Sequence, residues 1–330
     1  MEARKRILAL VVVAALFWPM TVSASEEEQY LQDPSTSPGD WFKYEVMMNE
    51  ADEFKDAYSD EYGTVQTVHR NGAAEMVMEH ISDNCENVDP TGCSRMRLTM
   101  SSNHTLIFES GSDYDDDTIV ISSALTSIFE SNGTHSWMMD TMTMDVWMSV
   151  DGESYHVEIV DEEVNRSVGD SEPLSASLGD SWIIRENGTT QITSKFRTNG
   201  GDWEFESSVE TYEKTTNYNA VSIATVDVGT KEYDCIKIEF QVIGESEKGI
   251  GYHAWNGLPT KSEIYDEDGE LEMMMLLSEY SWANEPTKST GQSEVESDDG
   301  EMLDIPFPGI VSTTVVFLVT AIILRRSNQE

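Results

Sequence analysis

Asn-Gly and Asp-Gly pairs punctuate this chain, among them Asn71-Gly72, Asn132-Gly133, Asp151-Gly152, Asn187-Gly188, Asn199-Gly200 and Asp268-Gly269. Tight hairpins need residues that accept positive φ, and these types accept it at least cost, so the pairs mark expected chain reversals. Between several of them the apolar residues fall at every second position. Met142, Met144, Val146, Met148 and Val150 share one face of an expected strand; Thr141, Thr143, Asp145, Trp147 and Ser149 share the other. The same period recurs at Met76 and Met78, at Met96, Leu98 and Met100, and at Met273, Met275 and Leu277. A strand buries one face at a period of two, so the pattern predicts a mainly β, antiparallel, hairpin-rich domain.

One stretch reads differently. Asp115, Asp116 and Asp117 sit where acids favour a helix N-terminus, and Ile121, Leu125, Ile128 and Phe129 follow at helical spacing before Asn132-Gly133. This predicts a helix from about Asp116 to Glu130 packed on a sheet face. The β-branched run Thr118-Ile119-Val120-Ile121 makes a strand the competing reading. A short echo, Pro38-Gly39-Asp40-Trp41 against Leu178-Gly179-Asp180-Ser181-Trp182, raises the idea of two related halves meeting near Asp170.

The ends set the expected compartment. Arg4, Lys5 and Arg6 precede an apolar run from Ile7 to Phe17, and Val22-Ser23-Ala24 precede an acidic stretch, the layout of a secretory signal cleaved after Ala24. An uncleaved anchor is the lesser reading, because the run is shorter than the ~17 residues a spanning helix needs. Residues 305–324 carry no charge and stop at Arg325-Arg326, which predicts one transmembrane helix with the bulk of the chain outside and residues 325–330 in the cytoplasm. Residues 25–38 read as a linker, 39–283 as the ectodomain and 284–304 as an acidic stalk. The tail, Pro308-Gly309-Ile310 followed by a hydrophobic run and basic residues, resembles the sorting signals of archaeal surface proteins, which implies that the anchor is removable.

Between the two termini lie 15 basic and 60 acidic residues. That field repels nucleic acid and attracts cations and basic partner proteins, so nucleic-acid binding is the first function set aside. Hydrophobic residues at 39%, with 8 Trp and 12 Tyr, nonetheless suffice for a packed core. Cys85 and Cys93 flank a turn-forming segment and are expected to be bridged in an oxidising compartment. Cys235 is left over. Its neighbours Ile236, Ile238, Phe240 and Val242 alternate onto the opposite face, which predicts a half-buried, inert thiol.

No catalytic signature appears: the chain has no G-x-S-x-G, Walker loop or dinucleotide fingerprint, and its six histidines show no metal spacing. The expectation is a non-enzyme without cofactor. Asp113, Asp115 and Asp117 imitate the start of a calcium loop, yet Thr118 and Ala124 occupy the places of its Gly and Glu. The four sequons at Asn103, Asn132, Asn165 and Asn187 lend slight support to loops.

The 17 methionines admit three readings. Met138, Met139, Met142, Met144 and Met148 beside His135 have the softness that suits Cu(I). The period-two spacing favours a filled β core. Between the two lies an adaptable apolar cavity lined by Met76, Met78, Met96, Met100, Met142, Met144, Met148, Met273 and Met275.

The last third carries a resemblance. Val226-Asp227-Val228-Gly229-Thr230, Tyr233 to Phe240, Gly251-Tyr252-His253-Ala254-Trp255 and Gly257-Leu258-Pro259-Thr260-Lys261 resemble the closing strands of lipoprotein-carrier-like β domains of the LolA and LppX type. The resemblance implies a half-barrel or curved sheet around one or two helices, holding a lipid-like ligand. The expected function is a membrane-anchored surface binding module. A structural or adhesion protein with a filled core, and extracytoplasmic metal handling, are the alternatives. Intact mass of the purified protein should place its N-terminus at Ser25; a chain retaining Met1 to Ala24 would refute the cleavage.

Overall fold

The computed structural model describes residues 30–31, 36–48, 65–70, 74–86, 93–108, 118–131, 137–150, 153–169 and 175–285. Every regular element among them is a β-strand: β1 (Tyr30–Leu31), β2 (Trp41–Met48), β3 (Val65–Arg70), β4 (Ala74–Ser82), β5 (Ser94–Phe108), β6 (Thr118–Ser131), β7 (Trp137–Val150) and β8 (Glu153–Gly169). The second run comprises β9 (Ser175–Ala176), β10 (Ser181–Thr198), β11 (Glu204–Val228), β12 (Lys231–Val242), β13 (Lys248–Ala254), β14 (Pro259–Tyr265) and β15 (Leu271–Ser281). Twelve strands, β2, β4 to β8 and β10 to β15, hydrogen-bond in chain order, and β15 returns to β2. The sheet thereby closes into an antiparallel barrel. β3 lies on the same edge of β5 as β4, farther along it.

Two expectations are corrected. The sheet is a closed barrel, not a half-barrel or open curve, because the last strand pairs with the first, a contact that no local pattern encodes. No helix occurs among the described residues; the segment expected to be helical to Glu130 is β6. Leu125, Ser127 and Phe129 are buried at alternate positions, and β5 and β7 hydrogen-bond to either side. Two flanking ladders and the β-branched start outweigh the helical spacing.

The turn signals divide. Asn199 (φ 49°) and Gly200 (φ 69°) are both left-handed, as the β10–β11 hairpin requires, and Gly269 (φ 81°) sits between β14 and β15. Asn187-Gly188, expected as a turn, lies inside β10. There Gly188 makes room for a close approach: a Cβ would lie 2.8 Å from the Tyr212 ring and 2.7 Å from the Arg166 carbonyl oxygen. The Tyr212 hydroxyl passes over it to donate to Asn165 Oδ1 at 3.1 Å. Asn103, Asn165 and Asn187 all lie in strands, so these sequons do not mark loops.

The core is the inside of the barrel. Ladder register aligns Tyr44, Met76, Met100, Leu125, Met144 and Ile159 as successive cross-strand partners from β2 to β8. Trp182, Tyr218 and Phe240 continue the lining as a stack, with ring centroids 5.3 and 6.0 Å apart. Phe240 lies over Gly249, where a Cβ would fall 1.6 Å from the ring. The outer face is polar and carries ion pairs such as Lys43–Glu75 and Arg197–Glu158.

Matching turns precede β2 and β10. Asp40 and Asp180 each accept from the backbone N–H of a serine three residues earlier, Ser37 at 2.8 Å and Ser177 at 2.7 Å. Gly39 and Gly179 both have positive φ, and their N–H groups donate to His80 and Ala220 carbonyls. Within the expected linker, Tyr30–Leu31 pairs with Ser175–Ala176, and Thr36 is buried against His80. At the other boundary the Ala283 N–H donates to Asp40 Oδ1 at 2.7 Å, tying the domain's ends together. No helix of the described residues is long and apolar enough to cross a membrane. The expected signal peptide, transmembrane segment and cytoplasmic tail lie outside the described residues.

Gly249→Ala should destabilise the barrel by about 1–3 kcal/mol, the usual cost of overpacking, because Phe240 has to leave its place. Urea denaturation checks this, and an unchanged midpoint would refute it.

Candidate functional site

A strand that alternates inside a closed barrel sends every second side chain into the lumen. The structure places Met76, Met78, Met96, Met142, Met144, Met273 and Met275 on that face, each 7% exposed or less, with Met100 packed against them. Met148 is in β7, but its side chain is outside the described residues. Eight of the nine methionines named from the sequence therefore meet in one interior.

What the sequence reading missed is polar. Asp140 on β7, with Asp161 and Glu163 on β8, follows the same alternation as Met142, Met144 and Ile159, and the three carboxyls face the lumen. Asp140 stands directly across from Glu163, and Asp161 across from Met142. The Ser127 hydroxyl on β6 donates to Asp140 Oδ1. Among the described residues neither oxygen of Asp161 has a hydrogen-bond partner of good geometry, although the residue is 3% exposed. The signal was legible in principle: three acids occupy the apolar phase of two alternating strands.

Burial governs their ionisation. It pushes the Asp140 carboxyl up to about 8, against the Ser127 hydrogen bond and with help from Glu163 and Asp161. Burial, then the charge of Asp161, pushes Glu163 up to about 7. Asp161 is raised by burial too; Ser194, its partner across on β10, offsets part of the rise without forming a hydrogen bond of good geometry. Desolvation disfavours a charged carboxylate and neighbouring acids compound it, so Asp140 and Glu163 hold protons near neutrality.

Elsewhere the chemistry is quiet. Cys85 and Cys93 are bridged. Cys235 is fully buried rather than half-buried, because Thr260 at the start of β14 covers it, with its Oγ1 3.1 Å from the sulfur. Burial pushes that thiol up to about 11, which keeps it an unreactive thiol at neutral pH. Among the described residues no three His, Cys, Asp or Glu side chains converge as a metal site requires. The acidic run Asp113 to Asp117 and His135 lie outside the described residues. A cleft of about 620 Å³ opens on the outer face of β11 to β14, lined by Asn217, Asn219, Glu239, Gln241, Lys248 and Tyr265. None of the lumenal methionines reaches it.

No family model matches the chain, and no curated protein does. Among solved structures, one described as a candidate exported protein with a YmcC-like fold, from Bacteroides fragilis, is similar over 76% of this chain and 99% of its own length. The identity is 11% and the TM-score 0.30. A likeness that slight carries no argument, and the fold stands on its strand pairing.

The stability that the lumenal acids contribute should fall as pH rises from about 4 to 8. Unfolded carboxyls ionise near 4, so over this interval only the folded chain still holds the Asp140 and Glu163 protons, and the fall levels off once they have dissociated. Between about 4 and 6.5 buried His253, pushed down to about 4, works in the opposite sense and offsets part of that fall. Thermal denaturation across this range checks this; Asp140→Asn should flatten the slope above about 6.5, and an unchanged slope would refute the assignment.

Proposed function

We propose that the barrel is an extracytoplasmic, non-enzymatic binding module whose lumen takes an apolar, lipid-like ligand. The observation that carries this reading is the register, which brings methionines from β4, β5, β7 and β15 into one interior. Eight strands already make a barrel that side chains can fill, and twelve enclose more. Thioethers on flexible stems accommodate ligands of irregular shape better than branched side chains do. The resemblance of β11 to β14 to lipoprotein-carrier-like strands points the same way. The placement outside the cytoplasm rests on the expected signal and anchor, and the Cys85–Cys93 bridge suits an oxidising compartment.

A second reading has its own support. The lumenal methionines that are buried expose 7% or less, so the thioethers have closed on one another as a filled core would. In this reading the protein is a structural or adhesion module, and the polar outer cleft is its accessible concavity.

Native mass spectrometry of the gently purified full chain, followed by titration with a fluorescent fatty acid, separates the two. A co-purified lipid mass and saturable binding are expected. Absence of both would leave the filled core.

A further inference from the structure

The lumenal acids do not end at Asp161. Across β6, β7, β8, β10 and the first part of β11 the ladders run without a register break, so faces can be read from one strand to the next. Asp161 stands opposite Ser194, which stands opposite Glu206; Asn165 stands opposite Thr190, which stands opposite Glu210. Glu206 and Glu210 therefore share the face of Asp140, Asp161 and Glu163. Among the described residues on this face of the five strands the one base is Lys214, four positions beyond Glu210.

The outer part of this stripe is open. β12 pairs with β11 only from Thr216 onward, so among the described residues Glu204 to Lys214 is hydrogen-bonded to a strand on the β10 side alone. Glu206 and Glu210 are exposed, although farther along β11 the same face is buried at Tyr218 and Ala220. Among the described residues the wall is notched there, and the stripe leads inward from the notch to Asp161, whose carboxyl has Ser194 beside it but no hydrogen bond of good geometry.

A buried acid without a donor costs folding energy unless something else supplies one. A dehydrated metal ion would need convergent ligands, which are not found among the described residues. An ammonium group needs less: three donors that can reach carboxyl and hydroxyl oxygens on neighbouring strands. We infer that the stripe is the head-group subsite of the lumen and recognises the ammonium of an aliphatic amine, with its alkyl chain among Leu125, Met142 and Met144. Glu206 and Glu210 draw the cation to the notch, and Asp161 receives it. This inference rests on the apolar-ligand reading and names the chemistry of that ligand.

Calorimetric titration of the full chain at neutral pH with octylamine, octanol and octanoate tests it. Octylamine is expected to bind at least tenfold tighter than octanol, and octanoate weakest. Asp161→Asn should bring octylamine to the level of octanol and leave octanol unchanged. Glu206→Gln, at an exposed position that folding tolerates, should lower the amine preference severalfold and serves if the Asp161 variant does not fold. Equal binding of amine and alcohol would overturn the head-group assignment while the apolar lumen stands. Binding of none of the three would overturn both, and a full amine preference retained in Asp161→Asn or Glu206→Gln would overturn the roles given to those acids.

Discussion

Closure of the sheet is the constraint on which everything else in this molecule rests. A strand at an open edge leaves a row of unpaired N–H and C=O groups, and each such group buried away from water is costly. Pairing β15 with β2 removes that edge for the barrel as a whole and fixes the faces of all twelve strands at once. Side chains alternate at a strict period of two, so a slip of one residue anywhere would turn methionines outward and charges inward. The local devices serve this arrangement. Gly188 lets Tyr212 cross a strand, Gly249 lets Phe240 lie flat, and the aromatic stack from Trp182 to Phe240 fills the inner wall where β10, β11 and β12 meet.

Against that background the lumenal carboxyls are the costly element. A barrel built only for stability would place Val or Leu at positions 140, 161 and 163, as it does at Val157 and Ile159. Burying acids shifts them toward the neutral form, which lowers the penalty without abolishing it. Retained polar groups in an apolar interior are characteristic of binding sites, where partners supply what the fold withholds. On the proposed reading the half-paired β11 is the route for such a partner, because its first part has its neighbour on one side only among the described residues.

The domain's two exits lie together. Asp40 holds the Ala283 N–H, Asn284 donates to Ser37 at 2.9 Å, and the Glu285 carboxylate accepts from the Tyr280 hydroxyl at 2.8 Å. Lys231 and Tyr233 at the β11–β12 tip join the same cluster. Residues 283–285 are thus fastened to the barrel by side chains from β12, β15 and the turn before β2.

The sequence by itself determined the buried faces of several strands. Alternation at Met142, Met144 and Val146, and again at Met273 and Met275, names the buried side from neighbours two residues apart, and Asn199-Gly200 names its own hairpin. It also pointed to the Cys85–Cys93 bridge, since the seven turn-forming residues between them bring the thiols together. Tertiary structure decided what depends on partners far apart in the chain: that β6 is a strand held by two ladders, that Asn187-Gly188 is a crossing point and not a turn, that Thr260 buries Cys235, and that the sheet closes. The acidic stripe belongs to the same class. Asp140, Asp161 and Glu206 sit on three different strands, and only the cross-strand register makes them neighbours. The physical reason is range: a period of two is written in adjacent residues, whereas register and closure are settled by the hydrogen-bond balance of the whole ring.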